Sequence, residues 1–214
     1  MRNPESIEVR IQRQHMEIGL SPTSPAGVVM ARYSNRFSRM WAWDVDSQEI
    51  LGFQDVKGKA RLLDVSEDGR YCGWVIEAKG GYDTHMGVSR PYSFHALFWR
   101  RTVITPYFYD PIILFEDGII LHYSQPEEYQ FGDEIERVQP GCPYEFVELD
   151  GKAKAARRTS RVISNDGNKA QLIDRCGRTI EFGDLAVLSD GQVLIDLTRP
   201  VFTTVPHPEW AKEW

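Results

Sequence analysis

Residues 62–71 read Leu62-Leu63-Asp64-Val65-Ser66-Glu67-Asp68-Gly69-Arg70-Tyr71: an apolar run, a Ser-x-Asp-Gly corner, and the start of a second apolar run that continues to Ile76. Asp-Gly supplies the positive φ angles of tight hairpin turns, so this stretch predicts two short strands joined by a sharp corner. The chain has five such pairs, Asp68-Gly69, Asp117-Gly118, Asp150-Gly151, Asp166-Gly167 and Asp190-Gly191. Its composition would give about one by chance. Three of them, at Asp68, Asp117 and Asp166, recur at intervals of 49 residues, and each follows an apolar segment. A period of about 40 to 50 residues built on hairpins points to propeller blades or a related array.

Strand signals dominate outward from this stretch. Ile7, Val9 and Ile11 alternate with Glu8, Arg10 and Gln12; Trp41, Trp43 and Val45 alternate with Met40, Ala42 and Asp44; Val193, Ile195 and Leu197 alternate with Gln192, Leu194 and Asp196. This is the two-residue period of a strand. Residues 27–33, 71–76, 94–99, 103–109, 112–115 and 119–123 are nearly continuous in β-branched and aromatic side chains, as in strands buried on both faces. Residues 80–91 hold three glycines among polar side chains and read as a flexible hairpin tip. The tail Pro208-Glu209-Trp210-Ala211-Lys212-Glu213-Trp214 suits one helical turn with Pro at its start and the two tryptophans on one face. The strand from Ile7 to Ile11 is a candidate to pair with the late strand around 192–197 and fasten the array.

Trp43-Asp44-Val45-Asp46-Ser47-Gln48-Glu49-Ile50, followed by Leu63-Asp64-Val65-Ser66-Glu67-Asp68-Gly69-Arg70-Tyr71, resembles the blades of WD40-like β-propellers: a Trp-Asp strand end, then the Ser-x-Asp-Gly corner of the next blade. Looser copies pair Phe98-Trp99-Arg100-Arg101 with 114–118, 146–151 with 162–167, and 179–182 with 188–191. The resemblance implies an all-β, small propeller-like array of about four short antiparallel blades over residues 27–198, within a single domain spanning 1–214 and ending in a short tail, 208–214. The chain departs from the family in having no Gly-His dipeptide and only one Trp-Asp. A β-sandwich whose hairpins imitate blades is the second-ranked fold.

Composition bounds the chemistry. Hydrophobic residues make up 42% and charged residues 26%, ordinary for a globular protein, and the formal net charge is −6. An acidic balance argues against non-specific binding to DNA or anionic membranes and favours a basic protein partner. Cys72, Cys142 and Cys176 form no CxxC pair, so three reduced thiols in a cytoplasmic protein are expected. The longest apolar runs are far too short to span a bilayer.

No nucleophile elbow, zinc-binding helix motif, dinucleotide fingerprint or phosphate loop is present, and neither a cofactor nor a metal is expected. His95 and His122 lie in strand-like runs and read as hydrogen-bonded histidines at a sheet edge. The most aromatic part of the chain joins Trp99, Arg100 and Arg101 to Pro106, Tyr107, Phe108 and Tyr109. Arg and aromatic side chains together are the composition of interface hot spots. Arg100, Arg101, Tyr107 and Tyr109 are the candidates for an exposed binding patch, and Phe98 and Phe108 for the core. Glu127, Glu128, Tyr129, Asp133 and Glu134 form an acidic loop with an aromatic anchor, a second candidate surface. Lys152, Lys154, Arg157, Arg158 and Arg161 are the one dense basic stretch, without a stacking aromatic. The leading expectation is a non-catalytic protein-binding module: an adaptor, an assembly subunit or an inhibitor of a basic protein. A small hydrolase using carboxylates and histidine ranks second, and RNA binding through 152–161 third.

Overall fold

The computed structural model describes residues 15–32, 36–77, 84–102, 112–123, 136–149, 162–165, 170–183, 186–196 and 208–213. Those residues form an all-β protein. Sheet A begins with β1 (His15–Leu20), β2 (Ala26–Arg32), β3 (Phe37–Asp44) and β4 (Glu49–Lys57), each antiparallel to the next. Sheet B repeats the meander with β5 (Lys59–Val65), β6 (Cys72–Glu77), β7 (Thr84–Ser89) and β8 (Phe98–Thr102). Sheet C opens with β9 (Ile112–Glu116) and β10 (Ile119–Tyr123). Next, β11 (Glu136–Val138) returns to the free side of β8, and β12 (Glu145–Glu148) lies parallel to β10. The chain then goes back to sheet A, where β13 (Val162–Asn165) pairs with β1. Sheet D is a final meander of β14 (Ala170–Ile173), β15 (Thr179–Phe182), β16 (Ala186–Ser189) and β17 (Gln192–Asp196).

The sheets stack in the order D, A, B, C. The apolar runs that form β2 and β6 have the cause the sequence suggests, since sheets A and B are covered on both faces. Met16, Ile18, Trp41 and Trp43 of sheet A meet Ile180, Phe182, Val187 and Ile195 of sheet D. Val28, Met30 and Met40, on the other face of sheet A, meet Ala60, Leu62, Val65 and Trp74 of sheet B. Met86, Val88 and Phe98 meet Ile113, Phe115 and Ile120 of sheet C. Each of these large side chains contributes roughly 1.5–3 kcal/mol by leaving water. Three interlayer cores thus join the four sheets in series among the described residues.

Buried carboxylates tie the first strands of successive sheets together. Leu62 N of β5 donates to Glu17 Oε2 of β1, and Phe115 N of β9 donates to Asp64 Oδ2 of β5 at 2.9 Å. Both carboxylates are buried. Strand-edge N–H groups that face a neighbouring sheet thus find an acceptor instead of being left dry.

The Asp-Gly corners behave as expected where they are described. Asp117 and Gly118 have φ of 28° and 80°, and Asp190 and Gly191 of 45° and 80°, giving two-residue turns between β9 and β10 and between β16 and β17. Gly69, at φ 71°, closes a longer corner between β5 and β6, in which Gly69 N donates to Ser66 O at 3.0 Å. Gly167 and Gly151 lie outside the described residues. The strands flanking Asp166-Gly167, β13 and β14, belong to different sheets, so this pair does not join two neighbours. The corner of sheet D that corresponds to Asp68-Gly69 and Asp117-Gly118, between first and second strands, is Asp174-Arg175-Cys176-Gly177.

Other expectations are corrected. Residues 84–89, read as a loop tip, form β7, paired on both sides. Gly87 disguised it: a side chain there would strike the Trp74 ring, so the strand has a glycine where a β-former would ordinarily stand. Residues 94–97, read as strand, form the β7–β8 connection. Their apolar character comes from Phe94 and Leu97, which plug two different interlayer cores, while Gln54 Oε1 accepts from Phe94 N. His122 is on the central strand of sheet C, not at an edge. The tail makes a 3-10 turn at Glu209–Lys212, with Trp210 edge-on to Tyr92 at 5.2 Å and Arg90 Nε donating to Glu213 O at 3.1 Å. Residues 7–11 and Trp214 lie outside the described residues.

Candidate functional site

The alternation of strand direction puts the β1–β2, β3–β4, β5–β6, β9–β10 and β14–β15 turns at one end of the stack. Here the chain concentrates carboxylates: Asp44, Asp46, Glu67, Asp68, Glu116, Asp117, Asp174 and Asp190 all lie in or beside these turns. The β1–β2 turn, Ser21-Pro22-Thr23-Ser24-Pro25, is clasped to the β5–β6 corner. Ser21 Oγ donates to Glu67 O, and Thr23 Oγ1 donates to the same carbonyl at 2.7 Å. Gly69 is required at this contact, because a Cβ would collide with Ala26 and Ser24.

Two shallow clefts flank the clasp. The first, about 230 Å³, is walled by Thr23, Glu67 and Asp68 on one side and by Glu116 and Asp117 on the other, with Phe115 and Tyr144 between them. The rings of Phe115 and Tyr144 meet edge to face at 5.8 Å, and Tyr144 meets Tyr71 at 5.5 Å. Burial, reinforced by the nearby Asp68 charge, pushes the Tyr144 phenol up to about 12, so the ring carries a neutral hydroxyl. Asp68 stiffens its own corner by accepting from Ser66 Oγ at 2.7 Å and Arg70 N at 3.0 Å.

The second cleft, also about 230 Å³, lies where sheets A and D meet, and Leu20, Pro22, Val45, Ile173, Asp174 and Arg175 line it. A polar latch holds its walls. Arg178 Nε donates to Asp174 Oδ2 at 2.8 Å, and the same guanidinium donates to Val45 O and Asp46 O. Burial opposes ionisation of Asp174, but the N–H groups of Arg178 and Cys176 and the Arg178 charge outweigh it and hold the carboxyl below its usual range. In the adjoining β3–β4 turn, the Ser47 N–H does the same for Asp44.

The candidates from sequence fall elsewhere. Arg100, on β8, points toward sheet C with its side chain 12% exposed; Nη2 donates to Glu148 Oε1 at 3.0 Å, and Nη1 is 3.5 Å from His122 Nδ1. Its polar head is spent on a neighbouring sheet rather than on solvent. Arg101 is half-buried on the other face of β8. Tyr107, Tyr109, Glu127, Glu128, Tyr129, Asp133 and Glu134 lie outside the described residues, as does the basic stretch 152–161. The strand ends that lead into these segments, Thr102, Tyr123 and Glu148, are all at the end of sheets B and C opposite the clefts. Glu67, Asp68, Glu116 and Asp117 were legible as turn residues but not as cleft walls. The signal that could have found them is the 49-residue period, which sets two acidic corners at the same place in adjacent sheets.

Histidine stands in neither cleft's lining. His15 Nε2 and Glu17 Oε1 are 2.9 Å apart, but Glu17 is committed to Leu62 N and lies away from both clefts. Among the described residues no group of three His, Cys, Asp or Glu side chains is set to hold a metal ion, and no helix is long and apolar enough to cross a membrane. Cys72, Cys142 and Cys176 are free thiols, and burial pushes Cys72 up to about 12. No family model, curated protein or solved structure matches the chain.

Proposed function

We propose that this chain is a non-catalytic protein-binding module of WD40-like, blade-repeat type, whose turn end receives a basic segment of another protein. The observation that carries the reading is the first cleft, in which four carboxylates from two successive corners surround an aromatic floor. A lysine or arginine side chain suits such a place: its stem lies on Phe115 and Tyr144 while its charge meets the acidic rim. Each exposed ion pair contributes about 0.2–1 kcal/mol and a cation over a ring about 0.5–2 kcal/mol, so several together give a usable but salt-sensitive affinity. The net charge of −6 steers a basic partner toward the molecule. Three free thiols suit a reducing compartment, and we place the module in the cytoplasm.

Fluorescence anisotropy with a labelled Lys/Arg-rich peptide tests the reading, a Gln-substituted peptide serving as control. The basic peptide binds and the control does not. The pair Glu67→Gln/Glu116→Gln, at two exposed positions, weakens binding about 2- to 30-fold, and raising the salt weakens it too. Binding that ignores both the loss of charge in the peptide and the double substitution removes the proposal.

A further inference from the structure

The second cleft differs in chemistry from the first. Its apolar lining comes from Leu20, Pro22 and Val45 on the side of sheet A and Ile173 of sheet D, beside Ser21, Asp174 and Arg175, and Arg175 lies 3.6 Å from Asp46. Val45 is buried, whereas Ile173 is 63% exposed, the most exposed large apolar side chain among the described residues. The Arg178 latch fixes one wall to the other, so the slot exists before anything enters it. Only the Ser21-Pro22-Thr23-Ser24-Pro25 turn separates it from the acidic cleft: Pro22 faces one side and Thr23 the other.

We infer that the second cleft takes an apolar side chain of the same partner segment whose cationic residue enters the first. The partner is thus bipartite, an extended basic segment with a leucine-like residue a few positions away, draped over the Ser21–Pro25 turn. Charge complementarity selects this occupant, because any segment seated in the apolar slot runs across an acidic rim on one side of the turn. The inference rests on the cation-binding reading above and adds the second anchor to it. A preformed slot with a polar rim is the arrangement in which a single apolar anchor gains most from desolvation.

The test uses the whole 214-residue chain and labelled peptides in which a Lys-Arg pair is followed, after one to six Gly/Ser residues, by either Leu or Ala. At one spacing the Leu peptide binds about tenfold more tightly than its Ala partner, the return expected from burying one such side chain. Ile173→Asp abolishes that Leu-over-Ala difference and changes the Ala peptide's affinity no more than Val193→Asp does. Val193→Asp, at a similarly exposed position of sheet D that lines neither cleft, keeps the Leu-over-Ala difference and gauges the effect of the added charge alone. Thermal melts establish that both variants fold. Equal affinity for Leu and Ala peptides at every spacing overturns the second anchor and leaves the cation site standing, whereas failure of both peptides to bind overturns both. A dimer in sedimentation that Ile173→Asp converts to monomer also overturns the inference, by giving the slot to a second copy of the chain.

Discussion

Two glycines with the same backbone conformation are held for different reasons. Gly69 and Gly118 both have positive φ, yet a Cβ at Gly69 meets Ala26 and Ser24, while one at Gly118 has nothing within 4 Å. Gly118→Ala therefore carries only the backbone penalty of a left-handed alanine, about 1 kcal/mol. Gly69→Ala carries that and must also push the β1–β2 turn away, breaking the Ser21 and Thr23 bonds to Glu67 O; a loss of roughly 3 kcal/mol is expected. Urea unfolding of the two variants measures the difference, and equal losses would disprove the clasp. The sequence identified both glycines as corner residues because dihedral demands are local. It could not separate them, since the second demand comes from Ser24 and Ala26, more than forty residues away in the chain.

At the scale of the element, alternation fails where a bulge intervenes. Val193 and Ile195 share a face in any regular strand, but Val193 is 61% exposed and Ile195 5%. The pairing explains it: Leu188 faces Val193 and Val187 faces Ile195, so Leu194 has no cross-strand partner and the strand rotates there. Ile195→Ala should cost about 2–4 kcal/mol and Val193→Ala under 0.5 kcal/mol, read from shifts in the urea midpoint. Comparable costs would mean a regular strand. The runs of β2 and β6 were legible because two-sided burial leaves a continuous apolar signature. β7 and the 94–97 connection were misread for the opposite reason: a glycine admitted by Trp74 made a strand look like a loop, and two core-plugging side chains made a loop look like a strand. The candidate site was less legible than the fold, for its walls come from turns of separate sheets and only the stacking brings them together.

For the molecule as a whole, the junction between sheets B and C contains an ionisable group in the wrong medium for its charge. His122 is 4% exposed, with Phe98 at 5.5 Å and Phe146 at 6.1 Å between ring centroids. Burial pushes its pKa down to about 4, the Arg100 charge acts in the same direction, and Glu148 opposes them. Its value in the unfolded chain is about 6.5. The unfolded state therefore takes up the proton first, and stability falls as pH drops from about 6.5 toward 4, by roughly 2–3 kcal/mol from this residue. In His122→Gln the same interval should show a correspondingly smaller decline, measured as the difference between urea unfolding at pH 7 and at pH 4.5. Identical declines in the two proteins would show that the imidazole is not what acid attacks.

Among the described residues sheet A is begun at residue 15 and finished at residue 165, since β13 joins β1 only after sheets B and C have been passed. During synthesis the N-terminal sheet accordingly leaves the ribosome with one border open and waits while most of the remaining polypeptide is made. Until then Met16 to Gly19 present backbone groups that any extended chain could engage. The late strand β13 is therefore what withdraws this border from competing partners.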